Sequence, residues 1–146
     1  MKMITLVTNK MDVDTYLGLR ASVDWKKLSP TQAQKALDHS LFVVCAYDGN
    51  RPAGMGRIVG DGAVICYIQD LLVHPNYQGM GIGKRILQEL IRYVHTIREE
   101  GTTMMLDLMC AKDREMFYTK HGFIARPTDE LGPGMIQYLD DRRDKQ

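Results

Sequence analysis

Cysteine is scarce in this 146-residue chain, and Cys45, Cys66 and Cys110 each stand alone inside an apolar run. There is no Cys-x-x-Cys, and the four histidines are dispersed. That spacing supports neither a disulfide framework nor a zinc site, so reduced, buried thiols and no metal are expected. No histidine pairs with a nearby Cys or Ser as a triad requires. Long apolar runs are also missing; none approaches the roughly 18 residues of a membrane span. The formal net charge is only +1, which gives no field to draw nucleic acid or an anionic lipid surface, and neither is expected as a partner. Met1-Lys2-Met3-Ile4-Thr5-Leu6 has no long apolar core and no small-residue cleavage site. A secretory leader is therefore not expected, and the expected compartment is the cytoplasm.

What is present is an ordinary globular composition, 45% hydrophobic and 25% charged, long enough for a sizeable core. One domain spanning 1–146 is expected. Ile4 to Val7 reads as a short strand. Asp12 is placed to cap a helix carrying Val13, Tyr16, Leu17 and Leu19 at helical spacing, and Ser29-Pro30 starts a second helix ending near His39. Leu41 to Tyr47, Pro52 to Val59 and Ala63 to Val73 read as three strands separated by Asp48-Gly49-Asn50 and Asp61-Gly62, an antiparallel meander. Ile86, Leu87, Leu90, Ile91, Val94 and Ile97 form the apolar stripe of a long helix. Thr103 to Met109 is a further buried strand, and strand–helix–strand here implies a parallel pair with a right-handed crossover. Asp113 to Lys120 reads as a short helix, and strands are expected at Gly122 to Ile124 and at Met135 to Leu139. The fold class is α/β (α+β): a mixed, mostly antiparallel sheet of six or seven strands with about four helices.

Between the third meander strand and the long helix lies Gln78-Gly79-Met80-Gly81-Ile82-Gly83-Lys84. Strand, glycine turn and helix start form an anion site: glycine allows close backbone approach, and the helix N-terminus offers unpaired N–H groups and a positive dipole end. Two phosphate motifs fail here. A P-loop needs Gly at position 78 and Ser or Thr after Lys84, but Gln78 and Arg85 stand there. The dinucleotide pattern needs Gly where Lys84 is. The surviving pattern, Gln78-x-x-Gly81-x-Gly83, resembles the pyrophosphate motif of the GCN5-related N-acetyltransferases (GNAT). The element order resembles that fold over nearly the whole chain.

The resemblance implies acetyl-CoA as co-substrate and a sheet splayed where it binds. Backbone groups of Leu71, Leu72 and Val73 would pair with the pantetheine arm, Val73 N–H would serve the oxyanion, and Gln78, Gly79, Met80, Gly81, Ile82, Gly83 and Lys84 would hold the pyrophosphate. Tyr118-Thr119-Lys120-His121-Gly122-Phe123 is similar to the family's Tyr-x-x-x-Gly-Phe, which makes Tyr118 the candidate acid for the departing thiolate. The family often carries Asn seven residues earlier; Ala111 stands there. Asp70, a carboxylate in an apolar strand, reads either as a base acting through water or anchoring a substrate cation, or as a side chain bonded to backbone or an Arg. By strand alternation it should share a face with Ile68, opposite Tyr67 and Gln69. Tyr67, Asp70 and Trp25 are the candidate acceptor contacts, with packing on the core the preferred alternative for Trp25. The implied activity is acetyl transfer to a primary amine, of a small molecule in the first instance and of a protein or peptide otherwise. An acetyl-CoA sensor acting on a partner protein is the non-enzymatic alternative. Family habit suggests a homodimer.

Overall fold

The computed structural model describes residues 3–142. The chain forms two compact units, one running through Leu108 and one from Met109 onward. In the first, five strands lie in the order β1 (Ile4–Thr8), β2 (Phe42–Asp48), β3 (Arg51–Gly60), β4 (Ile65–Val73) and β5 (Met105–Leu108). All neighbours are antiparallel except β4 and β5, which run parallel. Helices α1 (Val13–Ser22) and α2 (Pro30–Asp38) precede β2, and α3 (Ile82–Ile97) makes the crossover from β4 to β5.

The helix starts follow from the sequence. Asp12 accepts a hydrogen bond from Thr15 N–H at 2.8 Å, and Ser29 with Gln32 completes a capping box ahead of Pro30. Helix α3 buries Ile82, Ile86, Leu87, Leu90 and Val94, each such side chain contributing about 1.5–3 kcal/mol of transfer free energy. It sits close to the sheet: a Cβ added at Gly56 would lie 2.8 Å from Leu90 Cδ1 and 3.0 Å from Ile86 Cγ2. The opposite face is covered by α1 and α2 around Tyr16, Leu19, Ala33, Cys45, Met55 and Leu72.

Two irregularities in β4 shape everything that follows. Gln69 pairs with Arg57 and Leu72 with Met55, so Asp70 and Leu71 together oppose the single residue Gly56. This is a β-bulge, and Asp70 occupies it with φ of 58°. Further on, the β4–β5 ladder ends at Ile68 opposite Leu108. Gln69 to Val73 therefore continue beyond the end of β5 with no β5 residue beside them.

The second unit contains α4 (Glu115–Thr119) and a small ring cluster of Phe117, Tyr118 and Phe123. Here the sequence expectation needs correction. Neither 122–124 nor 135–139 forms a strand, so the described residues hold five strands rather than six or seven. Ile124, Met135, Ile136 and Leu139 are 64–86% exposed; their composition fits a strand, but no ladder partner or covering layer meets them. Cys110 is exposed, unlike Cys45 and Cys66. No helix among the described residues is long and apolar enough to cross a membrane.

Two glycines give opposite tests of the packing. Gly60 has φ of 137°, and a Cβ there would stand 2.4 Å from Ile65 O. Gly60→Ala should lower unfolding free energy by about 2–4 kcal/mol. Gly18, inside α1 with nothing within 4 Å of an added Cβ, should gain up to about 1 kcal/mol as Gly18→Ala. Urea unfolding midpoints measure both; a destabilised Gly18→Ala would contradict the open space at that position.

Candidate active site

The glycine turn is held from below. The 3₁₀ turn Pro75–Tyr77 is capped by His74, whose Nδ1 accepts from Asn76 N–H at 3.1 Å. Buried Tyr77 donates its hydroxyl to Asp48 Oδ2 at 2.7 Å, tying the turn to the end of β2. Gln78 Nε2 donates to Val73 O at 3.0 Å, closing the loop onto the last residue of β4. The sequence motif thus gives Gln78 a bracing contact within the chain.

Gly79 and Gly81 both have φ of 80°, a left-handed conformation that costs other residues roughly 1–2 kcal/mol. An added Cβ would meet no protein atom within 4 Å at either position. The space above the turn is therefore open to a ligand. Gly81 is the N-cap of α3 and supplies no capping side chain. The N–H of Arg85 reaches Gly81 O at 3.2 Å, which leaves the N–H groups of Ile82, Gly83 and Lys84 without an intrahelical acceptor. Met80 and Lys84 are exposed, and the Ile82 side chain is buried beneath the helix. Oriented donors, a dipole end and vacant space fit a diphosphate.

β4 leads straight from this turn to the bulge. Leu72 and Val73 pair with Met55 and Gly54 on the β3 side, and Leu71 packs toward Gly56. On the other side the ladder has already ended, so an extended ligand carrying amides can add there as a strand.

Asp70 is 4% exposed, and its carboxylate is saturated. Oδ1 accepts from Arg20 Nη1 at 2.6 Å and from Gln69 Nε2 at 3.3 Å. Oδ2 accepts from Arg57 Nε at 2.8 Å and from the Tyr16 hydroxyl. A carboxylate has about four acceptor positions, and four donors fill them. Burial, followed by that bond to Asp70, pushes the Tyr16 phenol above its ordinary value, so the hydroxyl keeps its proton as a donor. Of the two roles the sequence left open for Asp70, the geometry gives the Arg-bonded one: no lone pair is left for an incoming amine. The expected shared face with Ile68 also fails. Arg57 reaches Ala36 O on α2 and Ser40 Oγ just past its end, so the Arg57–Gln69 pair lies on the face of α1 and α2. The neighbouring Ile58–Ile68 pair lies on the other face. The bulge then turns Asp70 back to the α1 side, where Tyr16 and Arg20 meet it.

Trp25 is half-buried against the α1–α2 cluster, with the Arg20 guanidinium 5.5 Å from its ring centroid. It thereby props an arginine of the Asp70 network. Tyr67 pairs with Val59 on one side and Asp107 on the other. Tyr118, in the second unit, is half-buried between Phe117 and Phe123, at 5.0 and 5.8 Å between ring centroids. Burial, with a smaller contribution from Cys110, pushes its phenol up to about 12. Its hydroxyl therefore keeps its proton across the physiological range. Sequence reading missed three residues: Arg57, which completes the Asp70 network; Tyr77, which anchors the turn; and Asp107, whose Oδ1 is buried without a hydrogen-bond partner. A charged residue inside the apolar run Met104 to Met109 was the available signal for the last.

The profile of the acetyltransferase (GNAT) domain matches residues 38–125. Over 93% of this chain and all of the other, the fold superposes on a probable acetyltransferase of methicillin-resistant Staphylococcus aureus, with TM-score 0.81 and 30% identity. An uncharacterized N-acetyltransferase, ycf52, of Porphyra purpurea is 30% identical over 76% of this chain and 64% of its own length. Histone acetyltransferase TAP1 of Glycine max is 32% identical over 87% of this chain and 58% of its own length. The chain thus spans about 60% of these two curated relatives.

The Asp70 network yields a stability test. Asp70→Ala removes the partner of two arginines whose side chains are each 11% exposed. Breaking such a buried pair costs about 3–5 kcal/mol. Chemical denaturation should show this loss, with Gln69→Ala costing less than about 1 kcal/mol because its bond is long and neutral. Equal losses at the two positions would mean that the carboxylate is not the centre of the network.

Proposed function

The chain belongs to the GNAT acetyltransferase family, and from that membership we propose that it transfers the acetyl group of acetyl-CoA to a primary amine of a small molecule, by direct attack with both bound. The observation that carries this reading is continuity. The β4 edge left open beyond the β5 ladder runs without interruption into a turn that ends in three free N–H donors. A ligand with a diphosphate at one end and amides along its arm suits both parts. In the proposed complex, Ile82, Gly83 and Lys84 N–H groups hold the diphosphate, and Lys84 adds a positive charge. The edge from Leu71 to Val73 aligns the arm, with Val73 N–H assigned to the acyl oxygen. The thioester supplies an activated acyl carbon. Tyr118 holds a proton at its hydroxyl oxygen for the sulfur that leaves.

The relative named as a histone acetyltransferase favours a second reading, in which the amine belongs to a protein. Turnover of a lysine peptide in preference to every small amine tried would establish that reading. A sensor without turnover would bind acetyl-CoA and release no thiol with any amine.

Two variants test the assignments. Gly81→Glu places a carboxylate in the open space above the turn, and lost charge-assisted bonds of about 1.5–3 kcal/mol each should weaken acetyl-CoA binding by more than about 100-fold. The same change strains a residue at φ of 80°, so its fold is checked by circular dichroism. Unchanged affinity in a folded variant removes the diphosphate from the turn. Tyr118→Phe should lower kcat by about 10²–10⁴ with little change in acetyl-CoA affinity. Because the phenol is raised to about 12, its loss of proton should not limit the wild-type rate at pH 10, where an ordinary tyrosine would be half ionised. A fall in kcat centred near pH 10 that disappears in Tyr118→Phe would contradict the raised value.

A further inference from the structure

The split between β4 and β5 has an apex, and it is set by the register. Ile68 opposite Leu108 is the last pair before the strands part, and Tyr67 opposite Asp107 is the pair just inside it. Resting on the acetyl-CoA reading above, an arm anchored at the glycine turn and laid back along Val73 to Leu71 brings its reactive end toward this apex. The face from which Asp107 projects also follows from the register. Arg57 faces α2. Val59, two residues on, shares that face. Tyr67 is its cross-strand partner, and Asp107 is the partner of Tyr67. Asp107 therefore projects on the side of α1 and α2, one residue from the apex.

Its chemistry is unusual for the described residues. Two buried side-chain polar atoms lack a hydrogen-bond partner, Arg20 Nε and Asp107 Oδ1, and only Asp107 offers an acceptor. An unpaired buried carboxylate oxygen is costly unless something binds it. Asp70 cannot fill that role, because its four acceptor positions are taken. Burial also raises the Asp107 carboxyl above the ordinary Asp value, in the direction of a group able to take up a proton.

We propose that Asp107 is the catalytic carboxylate that binds the ammonium form of the acceptor amine and accepts its proton, so that the preferred acceptors are alkylamines that are cationic at neutral pH. The proton balance is complete. The ammonium gives one proton to Asp107 Oδ1 and becomes a neutral amine. The nitrogen lone pair forms the C–N bond as the C–S bond breaks, its electron pair leaving on sulfur. The nitrogen sheds a second proton as the amide forms, and the thiolate takes up one. The proton on Asp107 then passes to solvent. For each turnover one ammonium and one thioester give one amide, one thiol and one released proton.

The experiment compares wild type, Asp107→Asn and Asp107→Glu by thiol release from acetyl-CoA with two sets of acceptors, primary alkylamines and aromatic amines, the latter already neutral at pH 7. Calorimetry measures the affinity of the best alkylamine in the presence of CoA, and CoA affinity with thermal unfolding serves as the control for folding. With CoA affinity retained, Asp107→Asn should lose at least 100-fold in kcat/KM for alkylamines and at least 10-fold in their affinity. The loss with aromatic amines should be smaller, and Asp107→Glu should recover part of the alkylamine rate. A wild type that acetylates alkylamines, beside an Asp107→Asn variant with unchanged kcat/KM and affinity, overturns the role of Asp107 and leaves the acetyltransferase reading standing. Equal losses for both amine classes also overturn it, since a structural role would not distinguish them. A wild type that releases thiol with no amine overturns both.

Discussion

Much of the first unit depends on one carboxylate. Asp70 sits in a left-handed bulge conformation, inside a protein, with a negative charge. Each of those three conditions is unfavourable alone. They are tolerated together because the bulge aims the carboxylate at donors from three separate elements: Tyr16 and Arg20 from α1, Arg57 from β3, and Gln69 beside it on β4. Two arginines around one aspartate leave the cluster with an excess of positive charge. Tyr16 stays protonated within it, and Arg20 lies over the ring of Trp25. Desolvation makes such a network a weak source of net stability. Its effect is geometric: it locks α1 to the one place where β4 changes face.

That change of face shapes the edge to which the proposed ligand would add. Without the bulge, β4 would present a continuous alternation, and its apolar residues from Ile65 to Val73 would fill the same side throughout. With it, Cys66 and Ile68 serve the core under α3, while Asp70 and Leu72 serve the core under α1 and α2. The strand bends at the point where β5 stops. A stretch of backbone polar groups is then left over, directly upstream of the glycine turn. Tyr77 and Gln78 fix the far end of that stretch, through Asp48 and Val73. Rigid supports at both ends preorganise the edge, which lowers the ordering cost when a ligand adds to it.

How much of this could be read from residues alone varies with the kind of signal. Asp12, Ser29-Pro30 and the stripe from Ile86 to Ile97 are local patterns, and they place the starts of α1 and α2 and the end of α3 to within a residue or two. The three meander strands were legible for the same reason. The glycine turn was legible because left-handed backbone and a bare helix start leave a direct trace in composition. The bulge was not. Alternation treats every residue of a strand alike, and nothing local in Tyr67-Ile68-Gln69-Asp70-Leu71 says that two residues will oppose Gly56. The expected face of Asp70 was wrong for that reason, and the choice between its two roles stayed open because it depends on Arg57 and Arg20 arriving from distant positions. At 135–139 the pattern of Met135-Ile136-Gln137-Tyr138-Leu139 suits a strand, but a strand exists only within a ladder, and no ladder among the described residues includes that segment.

Asp70 and Asp107 show how far the rule that a carboxylate in an apolar strand needs a reason can be carried. The rule singled out Asp70 and, applied to the apolar run from Met104 to Met109, points equally to Asp107, and sequence cannot tell the two apart. Structure separates them by counting donors. Asp70 meets four, and its charge is spent on holding the fold. Asp107 keeps one buried oxygen with none, on the strand next to the open edge and on the face of α1 and α2. A buried acceptor without a donor is a cost to the unliganded protein. The same vacancy is what an ammonium group would fill. Asp107 lies beside Tyr67, three residues before Asp70 on β4, so in the proposed site one aspartate fixes the geometry and the other meets what enters it.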